Sequence, residues 1–443
     1  MVSHYLQRIV PRIEKEHLPM RVFFISANRE DINMPTLPMG LGCVAAATQK
    51  DGHDVRFVDL LTAGDIGAAI EGVIDEFAPQ VIGVSVRNID DQAMDSTQFM
   101  LDQAKEVVAL CRKRSPAPIV LGGAGYSIFP QSALEYVGAD MGIQGEGEAA
   151  FRVLLKHIEQ QADLSKVPGL YLPGRGLQAK RTYIKDLDQL PFPEPSLLLP
   201  AGLQKERYWL PFQTRRGCPL DCSYCSTATI EGHLLRQRSP AAVVKELTRW
   251  VAAGSKQVFF VDNTFNLPQS YALELCRRMA AAALDISWRC IFYPHRVSQD
   301  LVKTMARAGC REVSMGFESG DNNILQAMNK RFDTDDIRRA SKILADCGIR
   351  RTGFLMLGGP GETRESVARS FDFVESLDLD GLKITRGIRI YPYTALATIA
   401  VEEGLLEADD DLLFPKFYMV KGLNQWLEKY VRERAKNRPN WFC

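Results

Sequence analysis

Short apolar runs alternate with amphipathic stretches along the chain in two blocks, separated by an interval rich in proline. In the first block Arg21-Val-Phe-Phe-Ile-Ser26, Asp54-Val-Arg-Phe-Val-Asp59, Val81-Ile-Gly-Val-Ser-Val86, Pro118-Ile-Val-Leu-Gly122 and Met141-Gly-Ile-Gln144 predict buried strands. A continuous apolar run marks a strand covered on both faces. Repetition of strand and helix predicts an α/β unit, a doubly wound parallel sheet of five strands, over residues 20–165. From Val167 the character changes. Pro168, Pro173-Gly174, Pro191-Phe-Pro193-Glu-Pro195 and Pro200 interrupt any long helix, so residues 166–207 read as a connector with a short hairpin. Alternation resumes over residues 208–400 with Leu210–Thr214, Gln257–Asp262, Ser287–Phe292, Glu312–Glu318, Gly353–Leu357 and Leu382–Arg386 as strands. Residues 401–443 read as a helical extension, in which Leu423, Trp426, Leu427, Tyr430 and Val431 recur at helical spacing for packing.

Open α/β sheets bind ligands beyond the carboxyl ends of their strands. In the first block those ends are Ser26-Ala-Asn28, Ser85-Val-Arg87-Asn88, Gly122-Gly123-Ala-Gly125 and Gly145-Glu146-Gly147-Glu148. Small residues there let backbone approach a ligand closely. The Gly122 run is not a dinucleotide fingerprint, because it follows the fourth strand rather than the first. His53 precedes the second strand and so belongs to the opposite end of the sheet, as a polar turn residue.

A chain of 443 residues exceeds one ordinary core, which agrees with two large domains. Net charge is zero and 46% of residues are apolar, so charge points to neither nucleic acid nor an anionic membrane as partner. The first twenty residues carry Arg8, Arg12, Glu14, Lys15 and Glu16 and lack a signal-peptide core, and no run reaches the length of a membrane span. A cytoplasmic protein is expected.

Candidate chemistry is concentrated in Thr214-Arg-Arg-Gly-Cys218-Pro-Leu-Asp-Cys222-Ser-Tyr224-Cys225, where three cysteines stand at Cys-x3-Cys-x2-Cys spacing. Three thiolates hold three irons of a four-iron cluster and leave the fourth iron open to a small molecule. A zinc site normally takes four ligands, often as two Cys-x-x-Cys pairs, and an electron-transfer cluster closes with a fourth cysteine; neither completion is recognisable. The other seven cysteines are dispersed, as expected of buried thiols in a reducing compartment. Cys443, on the tail Trp441-Phe442-Cys443, is either a reactive or an inert terminal thiol, and no prenylation box surrounds it.

The thiol loop resembles the signature of the radical S-adenosylmethionine (SAM) enzymes, in which Tyr224 would lie near the adenine. Leu37-Pro-Met-Gly-Leu-Gly, Asp51-Gly-His-Asp-Val-Arg-Phe-Val-Asp-Leu, Arg87-Asn-Ile-Asp, Gly122-Gly-Ala-Gly-Tyr-Ser and Gly145-Glu-Gly-Glu resemble the cobalamin-binding domain that precedes the barrel in the cobalamin-dependent branch. The resemblance spans almost the whole chain. It implies a Rossmann-like domain followed by a partial (β/α)6 barrel, with a [4Fe-4S] cluster, SAM and cobalamin as cofactors. It also implies a cobalt without a histidine ligand, with Ser85 to Asn88 beneath the corrin; Arg87 is either part of that surface or an ordinary ion-pairing arginine. Asp262-Asn263, where many relatives have Gly-Gly-Glu, and Glu318-Ser319 and Arg296 would contact SAM, although each also suits a structural ion pair. Glu362, in Gly358-Gly-Pro-Gly-Glu-Thr363, either reaches the site or caps the next helix. Tyr393 would reach the substrate, and Phe414-Pro-Lys-Phe-Tyr418 and Trp441 would close its cavity.

The activity implied is methyl transfer to an unactivated carbon of a small-molecule or peptide substrate, with a flavodoxin- or ferredoxin-type electron donor. Ring formation or rearrangement with the same cofactors is the alternative. A methylthiotransferase needs three N-terminal cysteines, where only Cys43 and Cys111 occur, and a corrinoid sensor leaves the thiol loop unexplained.

Overall fold

The computed structural model describes residues 19–30, 35–199, 203 and 205–442, so the expectations for the first residues and for Cys443 lie outside it. The apolar runs of the first block form β1 (Arg21–Ser26), β2 (Asp54–Asp59), β3 (Val81–Ser85), β4 (Ile119–Gly122) and β5 (Met141–Ile143). All five pair in parallel in the order β2-β1-β3-β4-β5, which places β1, β3 and β4, buried along almost their whole length, inside and the less buried β2 at the edge. The connector supplies more than a tether. Its hairpin, β6 (Leu170–Leu172) and β7 (Gly176–Leu177), adds to β5 antiparallel and widens the sheet to seven strands.

The second block begins with β8 (Leu210–Phe212), followed by a small antiparallel pair, β9 (Arg215–Arg216) and β10 (Arg236–Gln237), that brackets the thiol loop. Then β11 (Gln257–Phe260), β12 (Ser287–Phe292), β13 (Cys310–Glu318), β14 (Arg350–Leu357) and β15 (Gly381–Arg386) continue a parallel sheet from β8, each strand beside its sequence neighbour. Alternation within these strands sets two faces. Val258, Trp288, Val313, Leu355 and Leu382 are buried beneath the outer helices, whereas Phe259, Arg289, Ser314, Thr352 and Lys383 are only partly covered on the concave side. This is the expected partial barrel.

The chain ends with β16 (Ile388–Arg389), β17 (Phe417–Tyr418), the helix Asn424–Ala435 and β18 (Trp441–Phe442). Leu427 and Val431 are buried, as their spacing predicted. Trp441 does not close a cavity. It pairs with Leu382, near the start of β15, and packs on Phe371 at 5.7 Å, toward the end of the barrel away from the thiols. One apolar core runs between the domains: Ile82, Val84 and Phe129 of the first pack with Ile388, Ile390, Leu412 and Tyr418 of the second. No helix among the described residues is long and apolar enough to cross a membrane.

Candidate functional site

Gly217 opens the thiol loop at φ +88°, and a Cβ there would lie 2.2 Å from the Leu234 carbonyl oxygen, so the turn into Cys218 requires glycine. Glu231 fixes the loop from the other side. One of its carboxylate oxygens accepts from the Gly217 amide at 2.9 Å and from Asn263 Nδ2 at 2.7 Å. Cys218 is buried, Cys222 half-buried and Cys225 exposed. Burial pushes the Cys218 thiol up to about 11, with Cys225 and Cys222 adding to the rise; Cys222 is raised by burial against the opposing charge of Lys330. Among the described residues no three such side chains converge as they would on a single metal ion. Ligands on three different irons of a cluster stand further apart than ligands on one ion.

Behind the loop, Tyr224 donates its hydroxyl to Glu318 Oε1 at 3.0 Å, and Lys330 Nζ lies 2.9 Å from the Tyr224 oxygen and 3.2 Å from Glu318 Oε1. Glu318 holds φ +68°, a conformation costly for a residue with a Cβ, and it ends β13 with its carboxylate turned toward the thiols. Lys330 was not found from sequence. It is a single lysine in a connecting turn, and its partners lie at positions 224 and 318.

Other expected SAM contacts are placed differently. Asp262 is fully buried: Oδ1 accepts from the amides of Thr214 and Arg215 at 2.7 and 2.9 Å, and Oδ2 from Thr214 Oγ1 and the Arg215 guanidinium at 2.6 and 2.9 Å. All four acceptor positions of the carboxylate are used, so Asp262 anchors the start of the thiol loop instead of a ligand. Ser319 is buried against the helix Arg364–Ser376, 3.1 Å from Ser370 Oγ, and its hydroxyl accepts from the Asp321 amide. Arg296 is exposed, and its carbonyl accepts from Gln269 Nε2 at 2.7 Å. Asn263 remains beside the loop, its amide donating to Glu231. Glu362 is not the helix cap, which is Thr363; it accepts from the amides of Gly358 and Gly359, and burial raises it to about 7.

A cavity of about 420 Å3 opens at the carboxyl ends of the first sheet, within the size range of small-molecule pockets. Its lining combines apolar Phe24, Val44, Gly83, Val120 and Phe151 with polar Ser26, Asn28, Ser85 and Arg87, and Gly122, Gly123, Gly145, Glu146 and Gly147 also stand in the wall. Asn88 and Gly125 do not line it. Asn88 faces a separate small pocket, and a Cβ on Gly125 would meet the Arg87 carbonyl oxygen at 2.9 Å. Gly123, at φ +105°, would place its Cβ 2.4 Å from the Val86 carbonyl oxygen, so these glycines serve the packing of the β3 loop as well as ligand access. Arg87 is exposed on its cavity side, bonds to Thr36, and has its pKa drawn down by desolvation against the opposing charge of Asp59. Burial raises Asp59 in turn, to about 6. His53 is remote, accepting from the Met20 amide at the other end of the sheet.

The cavity has a second wall from the barrel side, which includes Gln213, Arg216, Ile230 and Glu231 beside the thiol loop. Two buried ion pairs close this seam: Glu148 with Arg216, and Glu146 with Arg236. The carboxylate of Glu146 also accepts from the Ile184 amide at 2.8 Å. Arg181 of the connector donates to the carbonyls of Thr229 and Ile230.

The fold and this shared cavity define a two-domain protein that joins a corrin-binding sheet to a partial barrel with an iron–sulfur loop. Residues 213–374 match the radical SAM superfamily and residues 25–155 the B12 binding domain. An uncharacterized methyltransferase of Pyrococcus horikoshii is 28% identical over 377 residues, covering 83% of this chain and 79% of its own. An anaerobic magnesium-protoporphyrin IX monomethyl ester cyclase of Rubrivivax gelatinosus is 26% identical, covering 82% and 66%. In fold the chain is similar to the radical SAM methyltransferase TsrM from Kitasatospora setae, with a TM-score of 0.78, 23% identity, and 87% and 75% of the two chains covered. A B12 binding domain followed by a radical SAM domain is the arrangement of the cobalamin-dependent radical SAM enzymes, and the chain is related to methyltransferases. Its cofactors are a [4Fe-4S] cluster, SAM and cobalamin. The site chemistry suits them: three thiols stand in one loop, a polar trio adjoins them, and the cavity has both apolar and polar lining, as a ligand with a flat aromatic base and a ring of amides needs.

Proposed function

We propose that the protein is a C-methyltransferase, which replaces hydrogen on an unactivated carbon of a small-molecule or peptide substrate with a methyl group. One observation carries this reading. A single cavity is lined by strand ends of the first sheet and by Gln213, Arg216 and Ile230 beside the thiols, so groups held on either side share one space. When bound, the corrin would supply a methyl carrier that draws on one SAM, with S-adenosylhomocysteine as by-product, and the cluster would supply the electron that cleaves a second SAM to methionine and a 5'-deoxyadenosyl radical. Overall one C–H becomes C–CH3, two SAM become S-adenosylhomocysteine, methionine and 5'-deoxyadenosine, and a flavodoxin- or ferredoxin-type donor supplies two electrons.

In this reading Cys218, Cys222 and Cys225 hold the three irons. Tyr224, Glu318 and Lys330 form the polar wall for SAM, and Asn263 stands beside the loop it would help to line. Ser26, Asn28 and Ser85 would offer hydrogen bonds to the corrin amides, and Arg87 would bring a cation, not an imidazole, to the group held there. The buried seam excludes water from the shared space.

Anaerobic protein reconstituted with cluster and cobalamin, given a reductant and deuteromethyl SAM, tests the proposal by mass spectrometry. Both 5'-deoxyadenosine and S-adenosylhomocysteine, with label on the corrin, are expected. Production of 5'-deoxyadenosine with no label on the corrin would favour ring formation or rearrangement, the second reading, which the cyclase-named relative supports.

A further inference from the structure

We propose that Asp90 and Arg389 are positioning residues: a buried latch that sets the distance between the corrin-binding sheet and the barrel. The inference rests on the methyltransferase reading above. Arg87, in the cavity wall, is three residues from Asp90 in the loop that follows β3, so the stretch that lines the cavity runs directly into the contact with the barrel. Asp90 Oδ2 accepts from Arg389 Nε at 2.9 Å, with the two side chains 1% and 2% exposed. The remaining guanidinium nitrogens donate to the Ile390 carbonyl at 2.7 Å and to the Leu412 carbonyl at 2.9 Å. One cation therefore ties three segments: the β3 loop, β16 and the stretch before β17.

The loop is stiff on its own side. Asp90 Oδ1 accepts from the Gln92 amide at 3.0 Å, and Asp91 Oδ1 from the amides of Ala93 and Gln98, both at 3.1 Å. Met94 lies so close to Gly387 that a Cβ there would meet its sulfur at 2.5 Å, and Asp95 pairs with Arg386. Neither Asp90 nor Arg389 lines the cavity, so the pair acts on the cofactors only through the loop and the strand it joins. Methyl transfer in line between sulfur and cobalt depends steeply on their separation, whereas retention of the corrin depends on the cavity wall.

The test uses full-length protein reconstituted with cobalamin and cluster, as wild type, Asp90→Asn and Arg389→Met. Asp90→Asn keeps an acceptor and covers the case in which Arg389→Met fails to fold. Hydrogen exchange over residues 87–99 and 412–414 is expected to rise roughly tenfold in both variants as the latch opens. Cobalamin affinity should stay within about threefold, because neither residue touches the cavity. Transfer of deuteromethyl label from SAM to the corrin should slow by roughly tenfold or more. Unchanged label transfer, or a loss matched by an equal loss of cobalamin affinity, would overturn the proposal, since the pair would then only stabilise the fold. Wild-type protein that passes no label sinks the methyltransferase reading instead, and unchanged exchange over the two segments would then reject the latch by itself.

Discussion

At the scale of single residues, the site separates groups held for structure from groups left for ligands. Alanine at Cys218, Cys222 or Cys225 should abolish cluster assembly while leaving cobalamin binding near wild type, because none of the three thiols lines the cavity. Iron content and corrin absorbance of the reconstituted variants read the two independently. Lys330→Met leaves Glu318 buried without its cation, a change expected to cost about 3 kcal/mol or more. The double variant Lys330→Met with Glu318→Gln should recover most of that loss, as chemical denaturation would show; no recovery would mean that Lys330 acts through packing alone.

Glu362 supplies a pH dependence of definite sign. Its carboxyl is raised by burial from 4.5 to about 7, despite the amides of Gly358 and Gly359. The folded state therefore holds the proton more tightly than the unfolded chain, so the stability this group contributes is complete below about 4.5 and is lost as pH rises through about 7. Thermal melts of the apoprotein at pH 5 and pH 8 should show a smaller decline for Glu362→Gln than for wild type. An equal decline would place the titration elsewhere.

At the scale of elements, the cavity glycines Gly123, after β4, and Gly40, in the helix Met39–Lys50, have separable duties. Gly123→Ala puts a Cβ against the Val86 carbonyl at φ +105°, so the β3 loop must move, with a cost expected at about 2 kcal/mol. A Cβ on Gly40 would meet nothing within 4 Å, so Gly40→Ala should be tolerated in thermal melts, a contrast that separates packing from composition. The principal strands were legible because their signal is local: β1, β2 and β12 match their predicted ranges. β18 and the pairing of the connector hairpin to β5 were not, since two- and three-residue strands owe their existence to distant partners. The site divides in the same way. The thiols stand out by their spacing within one loop, but a carboxylate at a strand end looks the same whether it meets the tyrosine of that loop, as Glu318 does, or a buried arginine, as Asp262 does.

At the scale of the whole molecule, the two domains are joined by polar contacts as well as by core. Arg216→Met strands Glu148 in a nearly closed environment and should lower stability by about 3 kcal/mol, with little relief from added salt because the pair is shielded from solvent. Cobalamin affinity should fall with it, since Arg216 and Glu148 both line the cavity. Titration of the apoprotein with hydroxocobalamin checks this, and affinity that holds while stability drops would confine the pair to the fold.

The connector gives the molecule its mechanical character. It is woven into the first sheet through β6 and β7 and hooked onto the thiol loop through Arg181, so it behaves as a strut and not a tether. A strut has no stroke. If SAM serves in two roles, as the proposed methyl transfer requires, the cycle proceeds by trading small molecules through a fixed frame, and solution scattering should give the same envelope at every stage of turnover.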